Sequence, residues 1–84
     1  MKILITGCAG FIGFHACNLI VQDPKINVFG IDNLNNYYDV NLKKERLNIL
    51  NKNKNFNFKK NDICNFKSLI KLFEKKKFDI VINL

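Results

Sequence analysis

Four short apolar runs recur along the chain. Three polar-rich stretches lie between them, with apolar residues three or four positions apart. The first run, Lys2-Ile3-Leu4-Ile5-Thr6, is nearly unbroken, as a strand buried on both faces requires. After a glycine-rich turn, Ile12, Ala16, Leu19 and Ile20 recur at helical spacing. They predict a helix from about Phe11 to Gln22, stopped by Asp23-Pro24. A second strand is expected at about Asn27 to Ile31, ending on Asp32, and a polar loop runs on to Asp39. Asp39 is placed to cap a helix from about Val40 to Asn51 with Leu42, Leu47 and Leu50 as its inner stripe. A lysine–asparagine turn, Asn51 to Asn55, leads to a third strand at about Phe56 to Lys60. Asn65 caps a helix from about Phe66 to Lys76, whose stripe is Phe66, Leu69, Ile70 and Phe73 and whose last turn is cationic. Phe78-Asp79 introduces a fourth strand, Ile80 to Leu84.

Short apolar strands alternating with helices imply the α/β class, a parallel sheet with helices on its faces. Right-handed crossovers give the strand order 3-2-1-4, the first four strands of a doubly wound sheet. The fourth strand is central in a complete sheet of this kind, and an apolar strand edge left open there is an aggregation site. The chain therefore reads as one unit, residues 1–84, the truncated N-terminal part of a larger domain. No repeat, linker or low-complexity tail interrupts it.

The formal net charge of +7 changes this picture little. Nearly all of it comes from lysine spread along the chain, and Arg46 is the only arginine, whereas base-reading surfaces favour arginine. Abundant Lys and Asn with scarce Arg fit an AT-rich coding bias, so no nucleic-acid partner is expected. Lys75-Lys76-Lys77 reads as a solvated helix end. No apolar run reaches the length of a membrane span or a signal peptide, which sets the expectation of a cytoplasmic protein without a membrane partner. Cys8, Cys17 and Cys64 show no metal-ligand spacing, so no metal site is expected. Cys8 beside a helix N-terminus could be an activated thiol; a small residue fitting a tight loop is the preferred reading. His15 has no catalytic partner in view and reads as an ordinary helix residue.

The chemistry concentrates at Gly7-Cys8-Ala9-Gly10-Phe11-Ile12-Gly13, set between the first strand and the first helix. Strand, glycine turn and helix start form the arrangement that binds a dinucleotide pyrophosphate. Gly7 suits a tight turn. Gly10 lets a phosphate approach the backbone, and Gly13 lets the helix pack closely. The helix start offers free N–H groups and a partial positive charge. Asp32 stands at the end of the second strand, where a carboxylate accepts from the adenosine ribose hydroxyls. It would also repel a 2′-phosphate, and no Arg or Lys adjoins it, which favours NAD over NADP. Asp62-Ile63 follows the third strand. Asp62 could bond the adenine amino group while Ile63 packs on the ring, or it could simply be a turn residue before the next helix.

Thr6-Gly7-Cys8-Ala9-Gly10-Phe11-Ile12-Gly13, Gly30-Ile31-Asp32-Asn33-Leu34, Asn61-Asp62-Ile63 and Phe78 to Leu84 together resemble the extended short-chain dehydrogenase/reductase family, which includes nucleotide-sugar epimerases and dehydratases. The resemblance covers essentially the whole chain and implies a Rossmann-type NAD-binding domain. Asp32-Asn33-Leu34-Asn35-Asn36-Tyr37-Tyr38-Asp39-Val40-Asn41-Leu42-Lys43 resembles the family's UDP-glucuronate 4-epimerase branch. The resemblance implies that Gly7, Gly10, Phe11 and Ile12 hold the pyrophosphate. Asp32, Asn33 and Asn35 would hold the adenosine ribose and nearby phosphate, Asp62 and Ile63 the adenine, and Leu84 would lie beside the cofactor. Cys8 replaces a commoner alanine, and Asn61 a usual glycine. The implied reaction is reversible C4 epimerisation of UDP-glucuronate to UDP-galacturonate through a 4-keto sugar, in a homodimer. Another nucleotide-sugar epimerase or dehydratase, or a non-catalytic NAD-binding module, are the alternatives. The family's Tyr-x-x-x-Lys is absent from these residues: Tyr37 and Tyr38 are followed four places on by Asn41 and Leu42. No catalytic residue is assigned, and the nucleotide-sugar pocket is expected beyond Leu84. Tyr37 and Tyr38 read as packing or subunit-contact residues.

Overall fold

The structure, a computed structural model, describes residues 1–34 and 40–84. Strands β1 (Lys2–Thr6), β2 (Asn27–Asp32), β3 (Phe56–Lys60) and β4 (Ile80–Asn83) alternate with helices α1 (Phe11–Ile20), α2 (Val40–Leu50) and α3 (Phe66–Lys76). All four strands pair in parallel in the order β3-β2-β1-β4, the order read from the alternation of elements. Ile3 stands opposite Val28 on one side and Ile80 on the other, and Asp32 stands opposite Lys60. Parallel pairing brings every strand's carboxyl end to one edge of the sheet. The segments that follow the strands meet there, and this edge carries the site.

Alternation along each strand divides the core between two faces. Ile3, Ile5, Val28 and Phe56 pack with Cys17, Val21, Leu47 and Leu50 on the side of α1 and α2. Leu4 and Ile31 pack with Leu72 of α3 on the other. Leu4, Ile5, Val28, Ile31 and Leu50 are wholly buried. Each such aliphatic side chain contributes about 1.5–3 kcal/mol of transfer free energy. Gly30, inside β2, leaves the volume that the Cys8 side chain fills: a Cβ at position 30 would stand 2.7 Å from the Cys8 sulfur.

The helices sit where expected but are turned differently about their axes. In α1 the buried residues are Gly13 and Cys17, while Ile12 and Leu19 of the expected stripe are 67% and 76% exposed. The closest approach is made by the smallest side chains, so a stripe chosen by hydrophobicity missed it. In α3 the buried residue is Leu72, with Leu69 half-buried against the same cluster. Phe66 is exposed, and Ile70 and Phe73 are about two-fifths exposed. The apolar arc of this helix is broader than the strip of sheet beneath it, and Phe73 turns aside to meet the Phe78 ring edge-on. In α2, Leu47 and Leu50 are buried as expected, but Lys43 takes the inner position instead of Leu42.

Element ends agree to within two residues. α1 stops at Ile20 because Gln22 and Asp23 donate to Leu19 and Ile20 in tighter turns. Its exit is anchored by Asn55, whose Nδ2 donates to the carbonyls of Val21, Asp23 and Ile26. α2 stops at Leu50, β2 runs on to Asp32, and β4 ends at Asn83. Asn65 caps α3, its Oδ1 accepting from Ser68 N–H at 3.3 Å, and Lys75 and Lys76 occupy its last turn. The expected cap Asp39 and the tyrosines Tyr37 and Tyr38 lie outside the described residues. Among the described residues no helix is long and apolar enough to cross a membrane.

Candidate functional site

A cleft of about 630 Å³ opens at the carboxyl edge of the sheet. It is bordered by Gly7, Gly10, Phe11, Ile12, Gly13, Asp32, Asn33, Asp62, Ile63 and Leu84. These are the residues singled out in the sequence, except Asn35, which lies outside the described residues.

The three glycines of the turn answer to three different constraints. Gly7 has φ +68°, a backbone that side chains rarely adopt. At Gly13 a Cβ would fall 2.0 Å from the Gly7 carbonyl oxygen, so the helix can rest on the turn only without one. At Gly10 neither holds: φ is −71° and a Cβ would meet only the Gly7 oxygen, at 3.3 Å. That approach is tight, so a methyl requires the turn to give by a few tenths of an ångström, a far milder conflict than at Gly13, and Gly10 also borders the cleft. No side chain caps α1, and the first turn holds no acidic residue. The first helical bond runs from Phe14 N–H to the Gly10 carbonyl, so the amides of Phe11, Ile12 and Gly13, which border the cleft, lie before it. Such a helix start favours an anion.

Asp32 is buried and held on both carboxylate oxygens. Oδ2 accepts from Ala9 N–H at 3.1 Å and Oδ1 from Leu34 N–H at 2.8 Å. Lys43, itself buried, brings its Nζ to 3.7 Å from Oδ1. The sequence reading that no cation adjoins Asp32 is corrected: helix α2 delivers one through space. Arg46, one turn further along α2, donates from Nη1 to the Ala9 carbonyl at 3.0 Å and lies over the Phe11 ring. Ala9 is thus gripped at its N–H by Asp32 and at its C=O by Arg46, which fixes the glycine turn against the end of β2 and the middle of α2.

The remaining wall comes from β3 and β4. Asp62 Oδ1 accepts from Cys64 N–H and its carbonyl from Asn65 N–H, so it builds the turn before α3 while bordering the cleft. Ile63 is half exposed beside it. Leu84 is drawn in by Thr6, whose hydroxyl accepts from Leu84 N–H at 3.0 Å and donates to Asn83 Oδ1. Asn61 is buried, donates its backbone N–H to the Asp32 carbonyl, and has a side-chain Nδ2 without a hydrogen-bond partner among the described residues.

Cys8 is fully buried, and burial pushes its thiol well above the ordinary range. Burial beside Gly30 therefore fits the packing reading and opposes an activated thiol. Cys17, likewise buried, is pushed up to about 12. His15 lies between the rings of Phe11 and Phe14.

Sequence reasoning missed Thr6, Leu42, Lys43, Arg46 and Asn61, all of which border the cleft. One signal was present. Lys43, Leu47 and Leu50 fall on one helical stripe, and a lysine in a core stripe needs a buried counter-charge. The sole arginine lies one turn beyond that lysine.

A family model for GDP-mannose 4,6 dehydratase matches residues 4–84. The UDP-glucuronate 4-epimerase of Thermodesulfobacterium geofontis (strain OPF15) is 47% identical over 81 residues, which are 96% of this chain and 25% of that protein. The crystal structure of UDP-glucuronic acid 4-epimerase from Bacillus cereus, in complex with UDP-glucuronic acid and NAD, matches with a TM-score of 0.89 at 38% identity. That match covers 100% of this chain and 26% of the other. A dTDP-glucose 4,6-dehydratase from Bacillus anthracis str. Ames, in complex with NAD, matches with a TM-score of 0.85 at 25% identity, again over 100% and 26%. The chain thus spans about a quarter of the length of the relatives it matches. With its 3-2-1-4 parallel sheet and its glycine turn facing Asp32, the chain belongs to the GDP-mannose 4,6 dehydratase family of extended short-chain dehydrogenases/reductases.

Proposed function

We propose that this chain forms the NAD-binding segment of a nucleotide-sugar epimerase acting on UDP-glucuronate. The observation that carries the reading is the cleft itself, which gathers an uncapped helix start, a glycine at position 10 and a buried carboxylate. The residues fit the cofactor. The amides of Phe11, Ile12 and Gly13 suit a pyrophosphate, and Gly10 lets it approach. An ionised carboxylate accepts about four hydrogen bonds, and Asp32 spends two on Ala9 and Leu34, leaving capacity for ribose hydroxyls. Asn33 and Asn35 would flank that ribose. Asp62 and Ile63 would receive the adenine, and Leu84 would border the cofactor where the sheet ends. When bound, NAD⁺ supplies reversible hydride exchange at position 4 of the sugar. The residues of this chain orient it and keep water from its adenosine half. They supply no proton-transfer group, and the sugar pocket is assigned to other parts of the protein.

UDP-glucuronate is favoured because the epimerase relatives reach 38–47% identity, against 25% for the 4,6-dehydratase. The test uses the complete gene product. Incubation with UDP-glucuronate and NAD⁺, followed by NMR of the sugar, should show UDP-galacturonate accumulating to an equilibrium mixture. A 4-keto-6-deoxy sugar from a dTDP- or GDP-hexose would instead identify a dehydratase. Asp32→Ala should weaken NAD⁺ binding; unchanged affinity in that variant would overturn the cofactor assignment.

A further inference from the structure

Asn61 carries a cost that nothing around it offsets. It follows β3 and is only 8% exposed. Its backbone N–H donates to the Asp32 carbonyl at 3.1 Å, which fixes the residue between the buried carboxylate and Asp62. Its side-chain Nδ2 is closed off from solvent and has no hydrogen-bond partner among the described residues. An unpaired buried donor forfeits its hydration without replacement, and folded proteins keep few such groups. Asn61 also stands in the wall between two recesses. The cleft lies on one side, and a smaller pocket of about 330 Å³, bordered by Lys59, Lys60, Asn65 and Ser68, lies on the other. The smaller pocket offers the amide little. Lys59 and Lys60 carry donors only, and the Asn65 Oδ1 already accepts from Ser68 N–H. An acceptor for Nδ2 is therefore to be sought on the side of the cleft, in whatever occupies it.

We propose that Asn61 is an adenine-contacting residue, its Nδ2 donating to a ring nitrogen of the base beside the acceptor that Asp62 offers to the amino group. This deepens the NAD reading above and rests on it. The ring nitrogens of adenine are acceptors and its amino group is a donor. One amide donor and one carboxylate acceptor on consecutive residues match that base in kind. The terminal torsion of asparagine is broad, so Nδ2 can swing towards the cleft while the Asp32 carbonyl holds the backbone in place. Binding then makes a hydrogen bond and also ends an unpaired state, so the contact is worth more than an ordinary exchange of water for ligand.

The test pairs one variant with altered bases. NAD⁺ and its 1-deaza, 3-deaza and 7-deaza adenine analogues, each with one ring nitrogen replaced by C–H, are titrated calorimetrically into the complete gene product. The parent should bind NAD⁺ about five- to tenfold more tightly than Asn61→Ala does. One of the analogues should bind the parent more weakly than NAD⁺ by a similar factor, and that deficit should disappear in Asn61→Ala. The ligand-free variant should melt no lower than the parent, because what it loses is a contact to ligand and not a contact within the fold. If the alanine variant does not fold, Asn61→Gly makes the same comparison. Equal NAD⁺ affinity in parent and variant would overturn the proposal. So would deaza deficits that all survive in the variant, since Nδ2 would then meet a ribose oxygen or a water instead of the base. Either result leaves the NAD site standing, whereas a parent protein that binds no NAD⁺ overturns both readings.

Discussion

Gly13→Ala should damage the fold, while Gly10→Ala, three residues away in the same turn, should damage chiefly binding. At Gly13 the added methyl would stand 2.0 Å from the Gly7 oxygen, 2.8 Å from the Gly7 carbonyl carbon and 3.1 Å from the Cys8 Cα. All three are backbone atoms, so no rotamer change relieves them. Separations under 3.0 Å are essentially never seen for a Cβ, so α1 must retreat by about 1 Å or more. That retreat loosens Cys17 and Val21, which hold α1 to the core. Overpacking of this kind costs about 1–3 kcal/mol, and a rigid backbone obstacle belongs at the top of that range or beyond. Alanine's better helix propensity returns at most about 1 kcal/mol. The net expectation is a loss of about 2 kcal/mol, read as a lower urea midpoint with an unchanged slope. Gly10→Ala meets one backbone atom at 3.3 Å with an ordinary φ, so its midpoint should fall by much less than that of Gly13→Ala while its NAD⁺ affinity falls. A Gly13→Ala protein with the parent's midpoint would refute the packing argument. A Gly10→Ala protein that binds NAD⁺ normally would refute the phosphate approach.

Maleimide should label Cys64, which is exposed, in the native protein, and Cys8 and Cys17 only after unfolding, as peptide mapping would show. The Cys17 thiol, raised by burial from 9.0 to about 12, stays protonated in the fold at pH values where the unfolded chain ionises. Its contribution to stability is therefore complete below pH 9 and is lost as pH rises towards 12. Urea midpoints measured across that window should fall, with a limit of about 1.4 kcal/mol per pH unit for each buried thiol; Cys8 is raised by burial too, so Cys17→Ala should make the decline about half as steep without abolishing it. Asn55→Ala removes the donor shared by three carbonyls and should lower the thermal midpoint by the equivalent of about 1–3 kcal/mol; no shift would show that water replaces it fully. Asn61→Ala relieves a buried amide that has no partner among the described residues, so the ligand-free protein should be no less stable than the parent, and a large drop in the melting temperature would contradict that account.

Much of this architecture is written locally in the chain. Uninterrupted apolar runs mark β1 and β4, and Asn65 marks the start of α3, because these signals depend on neighbours a few residues away. Gly7, Gly10, Asp32 and Asp62 were legible because a parallel sheet brings the ends of its strands to one edge whatever lies between. Rotations of the helices were not legible. Gly13 and Cys17 face the core of α1 because they are small, and a hydrophobicity stripe cannot rank smallness. Nor was Lys43, whose burial makes sense only once Asp32, eleven residues earlier, is known to sit beside it. Asn55 looked like one polar residue among many; its three carbonyl partners lie more than 25 residues away in sequence.

The position of β1 also sets a timetable for synthesis. Of the four strands described it is made first, yet it is an inner strand flanked by β2 on one side and β4 on the other. Its second neighbour is separated from it by the whole intervening chain: Ile3 pairs with Ile80, and Lys2 N–H bonds the Asp79 carboxylate. At about 5–20 residues per second, a ribosome takes on the order of 4–15 seconds to make that stretch. For that interval the nascent Ile3-Leu4-Ile5 segment offers one unpaired apolar edge to whatever is nearby. Slower translation lengthens that exposure without altering a single residue, so the yield of this protein should respond to codon choice between β1 and β4 more than its stability does.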